Sequence, residues 1–414
     1  MSDIVIVGGG IAGLALGSQL SKKHKVVIIE KGKICNSHKP WTTEKSIATK
    51  FGLENYIAVS FKKSFVSSFS GKKIFINADL VTMDDLGVLD FYKKEIRKHG
   101  SIVHENCKLI GTRKKKDNIE ITTSNGKING RLLIDCSGVE SKLAKDIYDR
   151  EFYCPTYGGI YNYRIKDEEI CLVKAAMRGP PAVFLSIYPM NKSQVVVYTD
   201  EYLTRKKNPL LLKKDHELNI NNSHLKDKLK GKKMVREVYG IIPMGSMKKN
   251  SLDNIFFFGD SSLVGAPIVG SGFTNIILHS HAIADHLTEK LASKKLTEKD
   301  LEFKYNEKER MNRDLLMLLN VFLIYAKPDQ IDSLFECLKL LGNKTLVDTL
   351  FMRLSAEQLY SILKIMTSTI GFKGLASVLP KKEFMFVAKE TVKLIEETTV
   401  EEFMEIFEKN HLQS

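Results

Sequence analysis

The 414-residue chain has little cysteine, and the six it has form no pattern. Cys35, Cys107, Cys136, Cys154, Cys171 and Cys337 lack paired spacing, which excludes a zinc knuckle or a disulfide framework and reads as the reduced thiols of a cytosolic protein. Long apolar runs are missing too. The best candidate, Ile255 to Leu278, carries Asp260 in its middle, so no run of about 20 residues qualifies as a spanning helix. Asp3 precedes the first apolar run, and that run is full of glycines, so no secretory signal is expected. The sequence offers no P-loop, Ser-His-Asp set, metal motif or fixed-period repeat. His279 and His281, two apart on a helix-like segment, point to different faces and do not suit a metal pair. Acidic charge is scarce as well: 49 Asp+Glu against 63 Lys+Arg leave +14, and Thr204 to Asn250 alone holds 13 Lys/Arg and 4 Asp/Glu. A stretch this basic favours anionic company. No nucleic-acid recognition module accompanies it, so the stretch is either a solvated lysine-rich loop or a contact for an anionic membrane met from the cytoplasmic side. With 43% hydrophobic and 27% charged residues the chain is globular rather than disordered.

What is present begins at "DIVIVGGGIAG". Ile4 to Val7 is a short β-rich run, a helix-like segment extends through Leu20, and Val26 to Ile29 is a second β run, a βαβ start that predicts a parallel sheet. Between strand and helix, Gly8 permits the tight turn, Gly10 lets a pyrophosphate approach the backbone, and Gly13 lets helix and strand pack closely. Ile11 and Ala12 belong to the same loop. Glu30, followed by Lys31, lies about 20 residues on, where a carboxylate accepts hydrogen bonds from a ribose diol. Two later segments select the dinucleotide. "LLIDCSGVESKL" is an apolar strand leading into Asp135 and Gly138. "NIFFFGDSSLVGAPIVGSGFTNII" is another, ending at Gly259 and Asp260, then Pro267, then Gly270, Ser271 and Gly272 opening a helix. A strand-end carboxylate and a helix amino terminus so far downstream form a second clamp. NAD does not need one; FAD, with its ribityl chain and isoalloxazine ring, does. No second motif for NAD(P)H follows, so a reductant, NAD(P)H or a protein, would bind transiently.

The predicted architecture is α/β: a Rossmann-like FAD-binding domain (residues 1–60, 84–150 and 246–295), an inserted antiparallel β-sheet substrate domain (61–83 and 151–245) and an all-helical carboxyl-terminal region (296–414). Short alternating runs such as "KKIFIN", "AVFLSIYPM" and "SQVVVYTDE" supply the inserted strands. Thr297, Ser355 and Thr399 each open a helix-like run, the last two with Gln358 and Glu402 three residues later as capping boxes, and Pro328 fits a first helical turn. Leu334, Cys337, Leu338 and Leu341, then Val347, Leu350, Phe351 and Leu354, then Leu359, Ile362, Leu363 and Met366 follow helical spacing. These stripes pack a core or line a tunnel for an apolar substrate.

Taken together, "VGGGIAG" with Glu30, "IDCSGVESKL" and "FFFGDSSLVGAPIVGSGF" resemble the FAD fold shared by aromatic hydroxylases, geranylgeranyl reductases and lycopene cyclases. "FLSIYPMNKSQVVVYTDEYL", the segment Tyr239 to Leu287 and the helical tail are most similar to the lycopene cyclases. The resemblance implies non-covalent FAD and flavin-assisted cyclisation of a long isoprenoid. It also implies an acid near the second of these strands. The matching register holds Tyr198 there, with Asp200 and Glu201 just beyond, so these three are the catalytic candidates. Trp41, Tyr157, Tyr161 and Tyr188 are the aromatic candidates for substrate contact, since aromatic faces stabilise cations. "HKPWTTEKS" is similar to the flavin-side loop of the reductases, with Trp41 where they tend to have cysteine. Alternatives are reduction of isoprenoid double bonds, flavin monooxygenation and a non-catalytic carotenoid carrier.

Overall fold

Ser2–Val7 is the hub of a parallel sheet, with Val26–Ile29 on one side and Gly126–Asp135 on the other. Ile102–His104 extends one flank and Ile255–Phe257 the other, both parallel to their neighbours. Ile4–Val7 and Val26–Ile29 are β-branched and buried on both faces, which is why they read as continuous apolar segments rather than alternating ones, whereas the edge strand Ile102–His104 is largely exposed. Ile4 and Ile6 pack toward the helices Ile11–Leu20, Asp85–Lys98 and Gly272–Ala292. Val5 and Val7 pack the other way, with Ile119 and Ile121 of the hairpin Leu109–Lys114/Ile119–Thr123. The protein is described from a computed structural model, covering residues 2–36, 40–116, 118–175, 181–265, 271–293, 296–362 and 364–365.

A second sheet of eight strands runs in the order Met234–Met247, Tyr148–Tyr161, Val195–Glu201, Val183–Pro189, Cys171–Ala175, Ile57–Ser67, Lys73–Met83, Thr42–Glu44. It is antiparallel throughout except where Cys171–Ala175 joins Ile57–Ser67 in parallel. Thr42–Glu44, which falls within the stretch assigned from sequence to the first nucleotide segment, pairs here as the edge strand against Lys73–Met83.

The helical region packs on one face of this second sheet, burying Phe322, Leu334 and Leu354 among Phe184, Tyr202 and Met244. Its entry differs from the expected one. Thr297 caps only the short turn Glu298–Leu301, and the long helix Glu307–Tyr325 starts afresh at Asn306, whose side chain accepts from the Glu309 amide at 2.9 Å. Pro328 opens Pro328–Leu340 as expected. The stripe through Leu350, Phe351 and Leu354 does not stay on one helix, because Gly342–Leu350 ends there and Met352 takes a positive φ of 52°. Ser355 and Gln358 form their capping box, the Ser355 amide donating to Gln358 Oε1 at 2.8 Å and the Gln358 amide to Ser355 Oγ at 3.3 Å. Leu363, Met366, Thr399 and Glu402 lie outside the described residues.

Candidate functional site

The carboxyl ends of the parallel strands meet at one level: Val7 pairs with both Ile29 and Asp135, and Asp135 with Phe257. In an open parallel sheet the crevice beyond these ends is where a ligand binds. Gly8 sits there with φ 107°, and a Cβ on it would collide with the Cys136 carbonyl oxygen. A Cβ at Gly13 would collide with the Gly8 carbonyl oxygen, so strand and helix touch at this point. Gly10 is the opposite case: nothing lies within 4 Å of its missing Cβ, and no side chain caps the helix Ile11–Leu20 that it begins. The amino end of that helix therefore faces open space with its first amides and positive dipole, suited to a diphosphate. Glu30 fixes the loop, accepting from the Gly9 amide at 2.7 Å on one oxygen and from the Gly32 amide at 2.9 Å on the other. Each carboxylate oxygen keeps a further lone pair for a hydroxyl.

The second clamp is assembled from residues far away in sequence. Gly259, with φ 79°, ends its strand against Ala12, where a Cβ would clash. Asp135 accepts from the Ser137 amide at 2.9 Å and from Ser141 Oγ at 2.6 Å, shaping the turn at Gly138. Arg313, from the helical region, donates to the Leu263 carbonyl at 2.8 Å and so ties that region to the loop after Asp260. Both clamps open into one cavity of about 760 Å³. Gly8, Gly10, Ile11, Ala12, Glu30, Lys31 and Gly138 line one part; Asp260, Ser271 and Gly272 line another. Ser271 Oγ and Thr42 Oγ1 are buried cavity-lining oxygens with no hydrogen-bond partner among the described residues. Buried hydroxyls are rarely left unpaired, so both call for a polar ligand atom. Ser271 precedes the helix Gly272–Ala292, whose first turn no side chain caps. The uncapped helix starts, the open space at Gly10 and the orphaned hydroxyls fit an extended dinucleotide such as FAD. Pro267 and Gly270 lie outside the described residues.

The rest of the cavity is walled by the second sheet, and strand alternation decides which side chains reach it. On Val195–Glu201 and its neighbours the even-numbered residues point in: Thr156, Phe184, Ser186, Tyr188, Tyr198, Asp200 and Tyr202 line the cavity, with Trp41 stacked on Phe273 at 4.9 Å. Odd-numbered residues point to the reverse face. Three candidates are displaced by this parity. Glu201 is buried there in an ion pair with Lys207. Tyr157 donates to Glu237 at 2.5 Å, and Tyr161 hydroxyl meets His216 Nε2 at 3.3 Å. None of the three lines the cavity, so they do not meet a ligand held in it. Burial pushes the Tyr161 phenol up to about 12 and lowers His216 to about 4.

Asp200 remains as the half-buried acid in the wall. Ser186 Oγ donates to it at 3.0 Å, and Thr156 also bonds to it. Desolvation raises its carboxyl to about 6, against the counter-effect of these two hydroxyls, and no ion pair reaches it among the described residues. Burial likewise keeps the Tyr188 and Tyr198 phenols protonated, with ring centroids 6.0 Å apart. Ser186 and Thr156 were not expected from sequence; isolated hydroxyls on strands carry no signal until the register pairs Thr156 with Asp200. Leu350 and Phe351 close the cavity from the helical region, whereas the other stripe residues among those described, such as Leu334, Leu354, Leu359 and Ile362, pack as core. His279 rests against Tyr305 and 3.8 Å from Glu309, and no metal-binding cluster occurs among the described residues.

A crevice at the ends of a parallel sheet, continuous with a pocket under a second sheet, is the arrangement of the FAD-dependent enzymes, and the protein is one of them. More narrowly, the chain belongs to the lycopene cyclase protein family, whose family model matches residues 3–372. It is similar to the digeranylgeranylglycerophospholipid reductase of Methanosarcina acetivorans, 22% identical with 81% of this chain and 88% of that protein covered. Among solved structures it is similar to a geranylgeranyl bacteriochlorophyll reductase-like protein of Thermoplasma acidophilum, with a TM-score of 0.73, 18% identity and coverage of 91% and 98% of the two chains. It is also similar to the halogenase PltM in complex with phloroglucinol and FAD, with a TM-score of 0.63, 12% identity and coverage of 93% and 98%.

Proposed function

We propose that the protein, with FAD bound, acts on a long apolar isoprenoid and closes a ring at a polyene end in the manner of a lycopene cyclase, with Asp200 as proton donor. Asp200 carries this reading: it is an acid raised to about 6, in the wall of the cavity that the two clamps share, among tyrosines and Phe184. A general acid works best when it titrates near the working pH. Gly8, Gly10, Ile11, Ala12, Gly13, Glu30 and Lys31 would hold the ADP half, and Gly138, Gly259, Asp260, Ser271 and Gly272 the flavin half. Reduced flavin, when bound, supplies electron density that favours the adjacent cation. The chain's own part is the proton. The Asp200 carboxyl gives it to the terminal double bond, whose electrons form the new C–H bond and leave a tertiary carbocation. The neighbouring double bond attacks to form the ring C–C bond, and a ring carbon then releases a proton, so the mass is unchanged. Tyr188, Tyr198 and Trp41 offer aromatic faces to the cation.

A second reading, saturation of isoprenoid double bonds, is favoured by the two reductase-named relatives. Asp200 would then supply the proton that accompanies hydride transfer, with NAD(P)H or a protein restoring the reduced flavin. Both readings place the substrate in carotenoid or isoprenoid lipid metabolism, where it dissolves in membrane. Incubation of dithionite-reduced holoprotein with lycopene and with a geranylgeranyl lipid separates them by product mass. An isomer of lycopene supports ring closure; a gain of two hydrogens per step supports saturation; unchanged substrate in both cases overturns both.

A further inference from the structure

Nine large apolar side chains are strongly exposed among the described residues, and five of them, Leu210, Leu211, Leu218, Val235 and Tyr239, come from the basic stretch 204–250. They are 44% to 65% exposed. Exposed apolar groups scattered singly are ordinary, but these are gathered. Leu210 and Leu211 lie in the turn Pro209–Leu212, which packs on the edge strand Met234–Met247 that carries Val235 and Tyr239. Leu218 is on the following helix, Lys213–Asn221, tied to the same strand by Lys213 and Glu237. An exposed apolar edge strand is normally a liability, and its retention here points to a use. The charge around it is cationic and largely uncommitted: exposed Arg205, Lys214, Lys230, Lys232 and Lys233 make no ion pair among the described residues. Tyr239 stands at the boundary: paired with Tyr157, it projects its 54%-exposed side chain to the reverse face, and together with Gly240 and Ile242 of the same strand it borders the cavity.

We infer that this face, the turn, the helix and the edge strand together, is a docking surface for an anionic lipid bilayer, and that the cavity mouth beside Tyr239 opens onto it. Apolar side chains would enter the headgroup region while the lysines meet lipid phosphates. Among the described residues no helix is long and apolar enough to cross a membrane, so the contact is from the surface. A substrate dissolved in the bilayer would pass into the cavity without crossing water. The docking stands on exposure and charge alone; only the delivery step rests on the proposed function.

The test uses full-length FAD-loaded protein and sedimentation with vesicles of phosphatidylcholine alone or mixed with phosphatidylglycerol. Expected are binding to the anionic vesicles, weakening with salt, and a loss on the order of 100-fold in the triple variant Lys230→Gln/Lys232→Gln/Lys233→Gln, given about 1 kcal/mol per cation near such a surface. Leu211→Ser should weaken binding without altering the flavin content, which reports that the variant is folded. No binding, or binding that these variants leave unchanged, overturns the inference. So does self-association of the free protein that Leu211→Ser abolishes, since a second copy would then occupy the face. Vesicle binding without turnover of any isoprenoid would leave the docking surface standing and sink the function reading alone.

Discussion

Asp200 and Glu201 are adjacent carboxylates on one strand, and the sheet sends them to opposite worlds. On the cavity face Asp200 has two hydroxyl partners and a raised pKa of about 6. On the reverse face Glu201 is 2% exposed and paired with Lys207. A buried acid with a matching cation is part of the scaffold, whereas one left without a cation keeps its proton nearer neutrality and can hand it on. Chemical type is the same; the period of two along the strand assigns the roles.

The sharpest way to break the contrast is to neutralise each acid in turn. Asp200→Asn should lower turnover of the reduced holoenzyme by roughly 10²- to 10⁴-fold while FAD content and folding persist, as expected for removal of a general acid. Glu201→Gln should do the reverse, costing about 2–3 kcal/mol of stability through the unpaired Lys207, with the rate per bound FAD retained; chemical denaturation and steady-state assays read the two effects. Equal rate loss in both variants would erase the distinction.

The pH dependence sharpens it further. Because the proton on Asp200 is needed, the rate should fall about tenfold per pH unit above about 6, and this limb should move in Asp200→Glu. Its sign in stability follows from linkage. Between the usual 3.8 and about 6 the folded protein holds a proton that the unfolded chain has released, so Asp200 contributes stability at low pH that is lost as pH rises through that window. The difference between wild type and Asp200→Asn should therefore shift by on the order of 3 kcal/mol across it in thermal unfolding. On the reverse face His216, held neutral by burial and lowered to about 4, works oppositely, and its share of stability is lost as pH falls from 6.5 through 4. The smallest effect is expected from Tyr157→Phe, which removes the bond to Glu237 and should cost about 1 kcal/mol with no change in rate.

How far the sequence could be read depended on whether a signal was local. The glycine turn, Glu30 and the strand ends at Asp135 and Gly259 were legible because each needs its residue type at a fixed offset from a strand, and the structure gathers them at one crevice. The Ser355–Gln358 box was legible for the same reason. The parity of "VVVYTDE" was not. Val195 to Thr199 are buried on both faces, so no alternation of polarity marks which side holds the cavity. Tyr157 and Tyr161 were misplaced with Glu201 by the same ambiguity. The helix Glu307–Tyr325 was hidden because it is buried nearly all round from Leu315 to Ile324. Thr42 and Ser271 reveal their unpaired hydroxyls only when chain segments more than 200 residues apart converge.

The most direct measurement is difference infrared titration of the FAD-loaded protein, following the carbonyl stretch of protonated carboxyl groups in wild type, Asp200→Asn and Glu201→Gln. A carboxyl band titrating near pH 6 that disappears in Asp200→Asn and survives in Glu201→Gln is the predicted result. A band that survives in Asp200→Asn, or the absence of any carboxyl titrating near pH 6, would contradict the assignment of Asp200 as the proton donor.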